Sequence, residues 1–262
     1  MRLSRVARGL AALVCYGALS CVLAATPSGA GVFISHADVV IAAQRAAGAP
    51  LPVSDPRVQS LIASASAPAI FDGVAIPSNE ESDVIGKVCG RNGDVLGAYL
   101  LDGTGVSNDA GVKPEHEARI LANSRKYEAA VSPMLALSFA CGGYIARTMA
   151  SILPTTLPTD RVQVSLSISH FQQAVIRMYV RLLTMKPEDL QQSEAHRDQV
   201  VAAAGDAAPV VAVGLTVAQR KDLYERVVRT SALAPHSQSA SFEKMKHAFA
   251  KTACTGLCAY EH

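Results

Sequence analysis

The sequence has no tryptophan, and Phe, Tyr and Trp together make up only 5% of its 262 residues. That scarcity argues against an aromatic platform for sugars or nucleic-acid bases. Strong charge of one sign is also missing. The formal charge is +2, from 24 basic and 22 acidic side chains. Arg2, Arg5 and Arg8 lie in a segment read below as removed, and without them 21 basic residues face 22 acidic ones, a net charge of −1. A near-neutral chain has no electrostatic reason to bind nucleic acid or an anionic membrane. The familiar catalytic signatures are absent as well. There is no Gly-x-Ser-x-Gly, no His-Glu-x-x-His, no phosphate-cradling Gly-x-x-x-x-Gly-Lys and no Gly-x-Gly-x-x-Gly behind a strand. Internal repeats and tail-length charge runs are missing too.

What is present is an address. Arg2, Arg5 and Arg8 precede an uncharged apolar run, Gly9 to Ala24, and small residues offer cleavage after Ala24 or Ala25. The run is shorter than the roughly 20 residues of a spanning helix. Residues 1–25 are therefore read as a signal peptide, and the mature chain as periplasmic or secreted. A lipoprotein alternative at Cys21 is disfavoured, because apolar Val22 to Ala25 continues beyond that residue. Met134 to Ala146 is the best second candidate for a span. Its thirteen residues, closed by Arg147, read as a buried core helix.

Half of the residues are hydrophobic and 18% are charged, enough to bury a sizeable core. Four cysteines remain after the signal segment: Cys89, Cys141, Cys254 and Cys258. An even number in an exported chain predicts two disulfides. The preferred pairing is Cys254 with Cys258, closing a small loop, and Cys89 with Cys141. The competing pairing ties the C-terminal segment to the body through both of its cysteines.

The expected fold is mainly α: six to eight helices around a central apolar helix, with one small β-hairpin. Residues 26–262 form a single domain, loop-rich with the hairpin over 26–113 and a helical body over 114–262. Ser35-x-x-Asp38 opens a first helix that stops at Gly48. Asp55-Pro56 starts a short second one, and 66–82 reads as loop. In 84–101, two apolar runs flank Asn92-Gly93, the strongest short hairpin signal. Helices follow from Pro114 and from Ser132-Pro133 to Leu153. Residues 160–186 carry both a period-2 pattern and a helical stripe, Val164, Ile168, Phe171, Val175, Met178 and Leu182. The stripe covers more residues, so one long helix is expected. The next helix starts after Pro187 and ends at Gly205, followed by an extended connector to Gly214. A capping box, Thr216-x-x-Gln219, opens another helix, and Ser241 caps the last, with Phe242, Met245 and Phe249 on one face.

Four features bear on chemistry. Cys254, Cys258 and His262, with His247 upstream, have donors at one-turn spacing for zinc or copper, but exported thiols oxidise and no metal is assigned. Glu115-His116-Glu117 sets a ring between carboxylates, although adjacent helical residues point apart and a Glu115–Arg119 pair is the plainer reading. Asp102-Gly103-Thr104-Gly105 is a glycine-rich loop. Arg177 and Arg181, with His170 and Gln173, lie opposite the apolar stripe of their helix and offer paired guanidinium forks to an anion. No cofactor is implied. The favoured function is a non-enzymatic exported protein that binds an envelope or secreted partner, for instance by plugging a toxin or hydrolase. The alternative is an envelope hydrolase assembled from His116, His170 and His196 with Glu117 or Asp102. A metal carrier at the C-terminal Cys/His cluster is the minor alternative.

Overall fold

The computed structural model describes residues 29–71, 79–101, 114–152, 161–184 and 193–250, and over 79–82, 114–116, 152 and 161–167 it describes the backbone alone. The expected signal peptide, the 102–113 loop and the C-terminal Cys254, Cys258 and His262 lie outside the described residues. Among those described there are ten α-helices and no strand. They are α1 (Gly29–Ala47), α2 (Pro56–Ser64), α3 (Ala67–Phe71), α4 (Asn79–Leu100), α5 (Pro114–Lys126), α6 (Glu128–Ile152), α7 (Arg161–Thr184), α8 (Glu194–Val211), α9 (Val217–Ser231) and α10 (Ser239–Ala250).

The main departure from expectation is α4, which occupies the whole of the expected hairpin. Ile85, Val88, Asn92, Val95 and Tyr99 are all buried. They recur at intervals of three and four, the period of one helix face. Asn92, expected at a turn, is instead a buried anchor. Its side-chain amide donates to the Met134 carbonyl at 3.0 Å and to Ser138 Oγ at 2.8 Å, both on α6. Tertiary packing thus overrides the local turn preference of Asn-Gly.

Helix α6 is the centre of the molecule and packs against α2, α3, α4, α5, α7 and α8. It begins at Glu128, before the expected Ser132-Pro133 start, and carries Pro133 inside. The break from α5 falls at Tyr127, whose N–H bonds the Asn123 carbonyl while its own carbonyl accepts from Ala130 and Val131. Two apolar cores form on α6. One gathers Phe33, Leu61, Val88, Tyr99, Met134 and Leu137 from α1 to α6; the other gathers Phe139, Tyr179, Leu215, Leu223, Phe242 and Met245 from α6 to α10. By length and composition, Glu128–Ser151 is the one described helix able to cross a membrane, and 61% of its apolar window is buried inside the protein. That burial is what a core helix requires.

Several local signals act as expected. Gly48 ends α1 at a φ of 65°, a left-handed conformation that glycine adopts without strain. Asp55 caps α2 by accepting from Arg57 N–H at 2.9 Å, with Pro56 in the first turn. The capping box of Thr216 and Gln219 is formed in both directions. Residues 161–184 are one helix.

Others act differently. Ala67–Phe71 is helical within the expected loop. Gly205 does not end α8 but lies buried inside it, where a Cβ would come within 2.9 Å of the Ser241 carbonyl oxygen. Its role is to let α10 approach, and α8 continues through Pro209 to Val211 before a 3-10 turn, Ala212–Gly214. The last helix starts at Ser239, behind another 3-10 turn at His236–Gln238. The helix count exceeds the expected six to eight because the supposed hairpin and part of the supposed loop are helical.

Two outcomes are expected. Gly93 is exposed on α4, and a Cβ there would meet nothing within 4 Å. Gly93→Ala therefore raises stability by about 0.5–1 kcal/mol in a melting experiment, whereas a left-handed turn would make the same change destabilising. The second concerns Asp55. Hydrogen bonds from the Arg57 side chain and then its backbone N–H hold the Asp55 carboxyl down at about 2. A lowered carboxyl stabilises the fold above its unfolded value near 4, and that contribution disappears as pH falls towards 2. Asp55→Ala therefore melts below the wild type at neutral pH, and the gap closes between pH 4 and pH 2. A gap independent of pH would contradict this account.

Candidate functional site

Helix α6 is apolar nearly all round, yet one of its faces is not fully covered. Ala136, Ala140, Gly143 and Tyr144 form the floor of an open groove of about 670 Å³. One wall is the α2–α3 junction, with Ala63, Ser66 and Pro68. The other is α8, with Gln199, Ala202, Ala203 and Val210. Volume and lining fall within the usual range of small-molecule sites, mostly apolar with few polar groups.

The walls have identifiable causes. Helices α6 and α8 run parallel: the Glu128 carboxylate accepts from Ser193 N–H at 2.8 Å at one end, and a Cβ on Gly143 would lie 3.4 Å from Val210 at the other. The α3 wall is held by Phe71, whose ring stacks on Tyr144 with centroids 4.1 Å apart. Tyr144 also carries the Arg147 guanidinium, 5.6 Å above its ring centre.

Arg147 is exposed and is the only cation lining the groove among the described residues. Asp206, the only carboxylate lining it among the described residues, is engaged by Lys244 Nζ at 2.6 Å. Along α6 and α8, Gln199 stands towards one end of the groove and Arg147 towards the other.

Among the described residues, the candidates named from sequence do not line this groove. Arg177 and Arg181 are exposed on α7, one turn apart as expected, with no ion pair to a described residue. His170 is exposed near Gln172, which donates to the Gly214 carbonyl beyond the C-terminal end of α8. His196 is in the first turn of α8, with Nε2 3.8 Å from the Glu128 carboxylate. The two histidines are thus separated by about the length of α8, roughly 27 Å for 18 residues. Glu117 is exposed on α5; the His116 side chain and Asp102 lie outside the described residues. No group of three or more metal-ligating side chains occurs among the described residues.

The groove itself was not read from the sequence. Alanine is the commonest residue of its lining, and an alanine beside a groove looks the same in sequence as one filling a helix contact. The one available signal was Arg147 closing the apolar run of α6.

Cys89 on α4 and Cys141 on α6 are joined, with Cα atoms 5.7 Å apart, which is the preferred pairing for these two. The second expected disulfide, Cys254–Cys258, lies outside the described residues. Comparison with known proteins finds no family that matches the chain, and no match among curated proteins or solved structures.

The cross-link closes a sequence separation of 52 residues. Reducing it is expected to lower stability by roughly 4 kcal/mol if the loop-closure entropy is fully expressed. Melts with and without reductant, set beside the Cys89→Ser/Cys141→Ser variant, check this; coincident melts would contradict it.

Proposed function

We propose that the chain is an exported, non-enzymatic binding protein that holds an apolar ligand or a partner's apolar segment in the α6 groove. On this reading residues 1–25 are a signal peptide cut near Ala24 or Ala25, and residues 26–262 are a single domain working in the periplasm or outside the cell. Cys254 and Cys258 then form the second disulfide, and the partner is another envelope or secreted component. The observation that carries the binding reading is the groove on α6, the one described helix long and apolar enough to pass for a membrane span. The apolar face of a helix is stable in water when something covers it, and here one stretch is left open between two walls. His170 and His196, the two histidines of the hydrolase alternative whose side chains are described, lie far apart and neither lines the groove.

The test is native intact mass of the full-length gene product recovered from an oxidising compartment, for wild type and for Ala203→Phe, which fills the groove. The expected wild-type spectrum fits a chain cut after Ala24 or Ala25, short by the four hydrogens of two disulfides, with a non-covalent component bound. The component is lost in Ala203→Phe while the melting temperature is kept. Uncut chain with free thiols would defeat export. Component-free spectra from both proteins, together with turnover of a model ester by the wild type, would favour an enzyme.

A further inference from the structure

The groove also says what kind of ligand suits it; this inference rests on the binding reading above. We infer that it takes a single-chain amphiphile with an anionic head, a long-chain carboxylate, whose tail lies along α6 and whose head meets Arg147.

Three observations lead there. The first is the shape of the lining. Ala136, Ala140 and Gly143 on the floor and Ala203 on the wall have no side chains long enough to interdigitate with a bulky partner. Ile62, Leu137 and Val210 edge the trough these residues leave, so a flexible hydrocarbon chain that follows it meets apolar side chains along its length. The second is length. From Pro133 to Arg147 the floor follows α6 through fourteen helical steps, about 21 Å at the helical rise. That suits a long acyl tail and exceeds a compact metabolite.

The third is the placement of charge. Arg147 lines the groove, is exposed, rests on the Tyr144 ring and has no carboxylate partner among the described residues. Asp206, the only carboxylate lining the groove there, is already paired with Lys244. Gln199, towards the other end, is uncharged. The field along the groove is thus apolar for most of its length and positive at one end. A guanidinium fork matches a carboxylate in charge and in planar geometry. A zwitterionic lipid would bring a cation beside Arg147 with no free acid among the described lining residues to meet it. A cationic amphiphile would set like charges together.

The test is isothermal titration of the full-length processed protein with tetradecanoate below its micellar concentration. Tetradecanol, tetradecyltrimethylammonium and a lysophosphatidylcholine of the same chain length serve as comparison ligands. The expected result is one tetradecanoate per chain, bound more tightly than any of the other three. Arg147→Gln weakens tetradecanoate about tenfold and leaves tetradecanol unchanged, the loss of one charge-assisted contact. Ala203→Phe, and independently Ala136→Phe, abolishes binding, with melting curves confirming that each variant folds. Equal binding by Arg147→Gln, equal or tighter binding of the ammonium or lysolipid, or binding untouched by both Phe variants would overturn the proposal. Failure of tetradecanoate to bind, while Ala203→Phe still strips the component that accompanies the wild type, would overturn the ligand class alone. If no component accompanies the wild type either, the binding reading falls with it.

Discussion

One helix serves two hydrophobic cores, and the rest of the structure depends on that sharing. Helix α6 gives Met134, Leu137 and Cys141 to the core it forms with α1–α5, and Phe139 and Ala146 to the core it forms with α7–α10. Leu135 and Ile145 touch both. A helix used this way must be apolar on more than one face, which is why its composition passes for a membrane span. It must also be slim where neighbours come close. Gly142 stands where a Cβ would meet Val175 of α7 at 3.4 Å, and Gly143 where one would meet Val210 of α8 at the same distance. The small residues that admit α7 and α8 continue as Ala136 and Ala140 on the remaining face, where α2, α3 and α8 leave a gap. The groove is thus a by-product of the geometry that joins the two cores.

How much of this was legible in the sequence depended on whether a signal was local or relational. Two caps were legible, because an N-cap acts on N–H groups one to three residues away, whereas Ser35, Ser132 and Ser241 lie inside helices that begin earlier, at Gly29, Glu128 and Ser239. Asp55 with Pro56 and Thr216 with Gln219 did what their chemistry implies. The 160–186 segment was resolved by period, since a stripe of six apolar positions outweighed a short alternation. Segment 84–101 was misread because Asn92-Gly93 is a strong turn signal only while nothing outside the segment competes. The deciding partners, the Met134 carbonyl and Ser138 Oγ, are more than forty positions away. Gly205 misled for the same reason: its neighbour is Ser241 of another helix, and local reading takes a lone glycine for a stop.

The candidate site was less legible than the fold. Motif search looks for rare, reactive side chains, and among the described residues it led to His170 and His196, which the fold keeps apart. The groove is built from the commonest helix former, so composition hides it. Only its charged end, Arg147, stands out, and its meaning depends on Tyr144 beneath it and on Lys244 occupying Asp206. Pairing Cys89 with Cys141 was legible by sequence distance: Cys254 and Cys258 are near enough to close a small loop, which leaves the other two for each other.

That pairing has a consequence for how the molecule comes apart. The Cys89–Cys141 bridge fastens α4 to α6, both of which belong to the N-terminal core, and no described cross-link reaches α7–α10. The two halves are therefore unequal as cooperative units. The stapled half keeps its chain topology when its packing fluctuates, while among the described residues α7–α10 stay on α6 by packing and by polar contacts such as Ser193 N–H to the Glu128 carboxylate, with Tyr179 to the Ala204 carbonyl and Thr230 to the Leu183 carbonyl tying α7 to α8 and α9. Amide exchange should thus divide the protein along α6, with the C-terminal helices opening as one subglobal unit while the bridged half stays closed. Since α8 is both a wall of the groove and a member of the unstapled half, the groove stands at the seam between the slow and fast parts of the molecule.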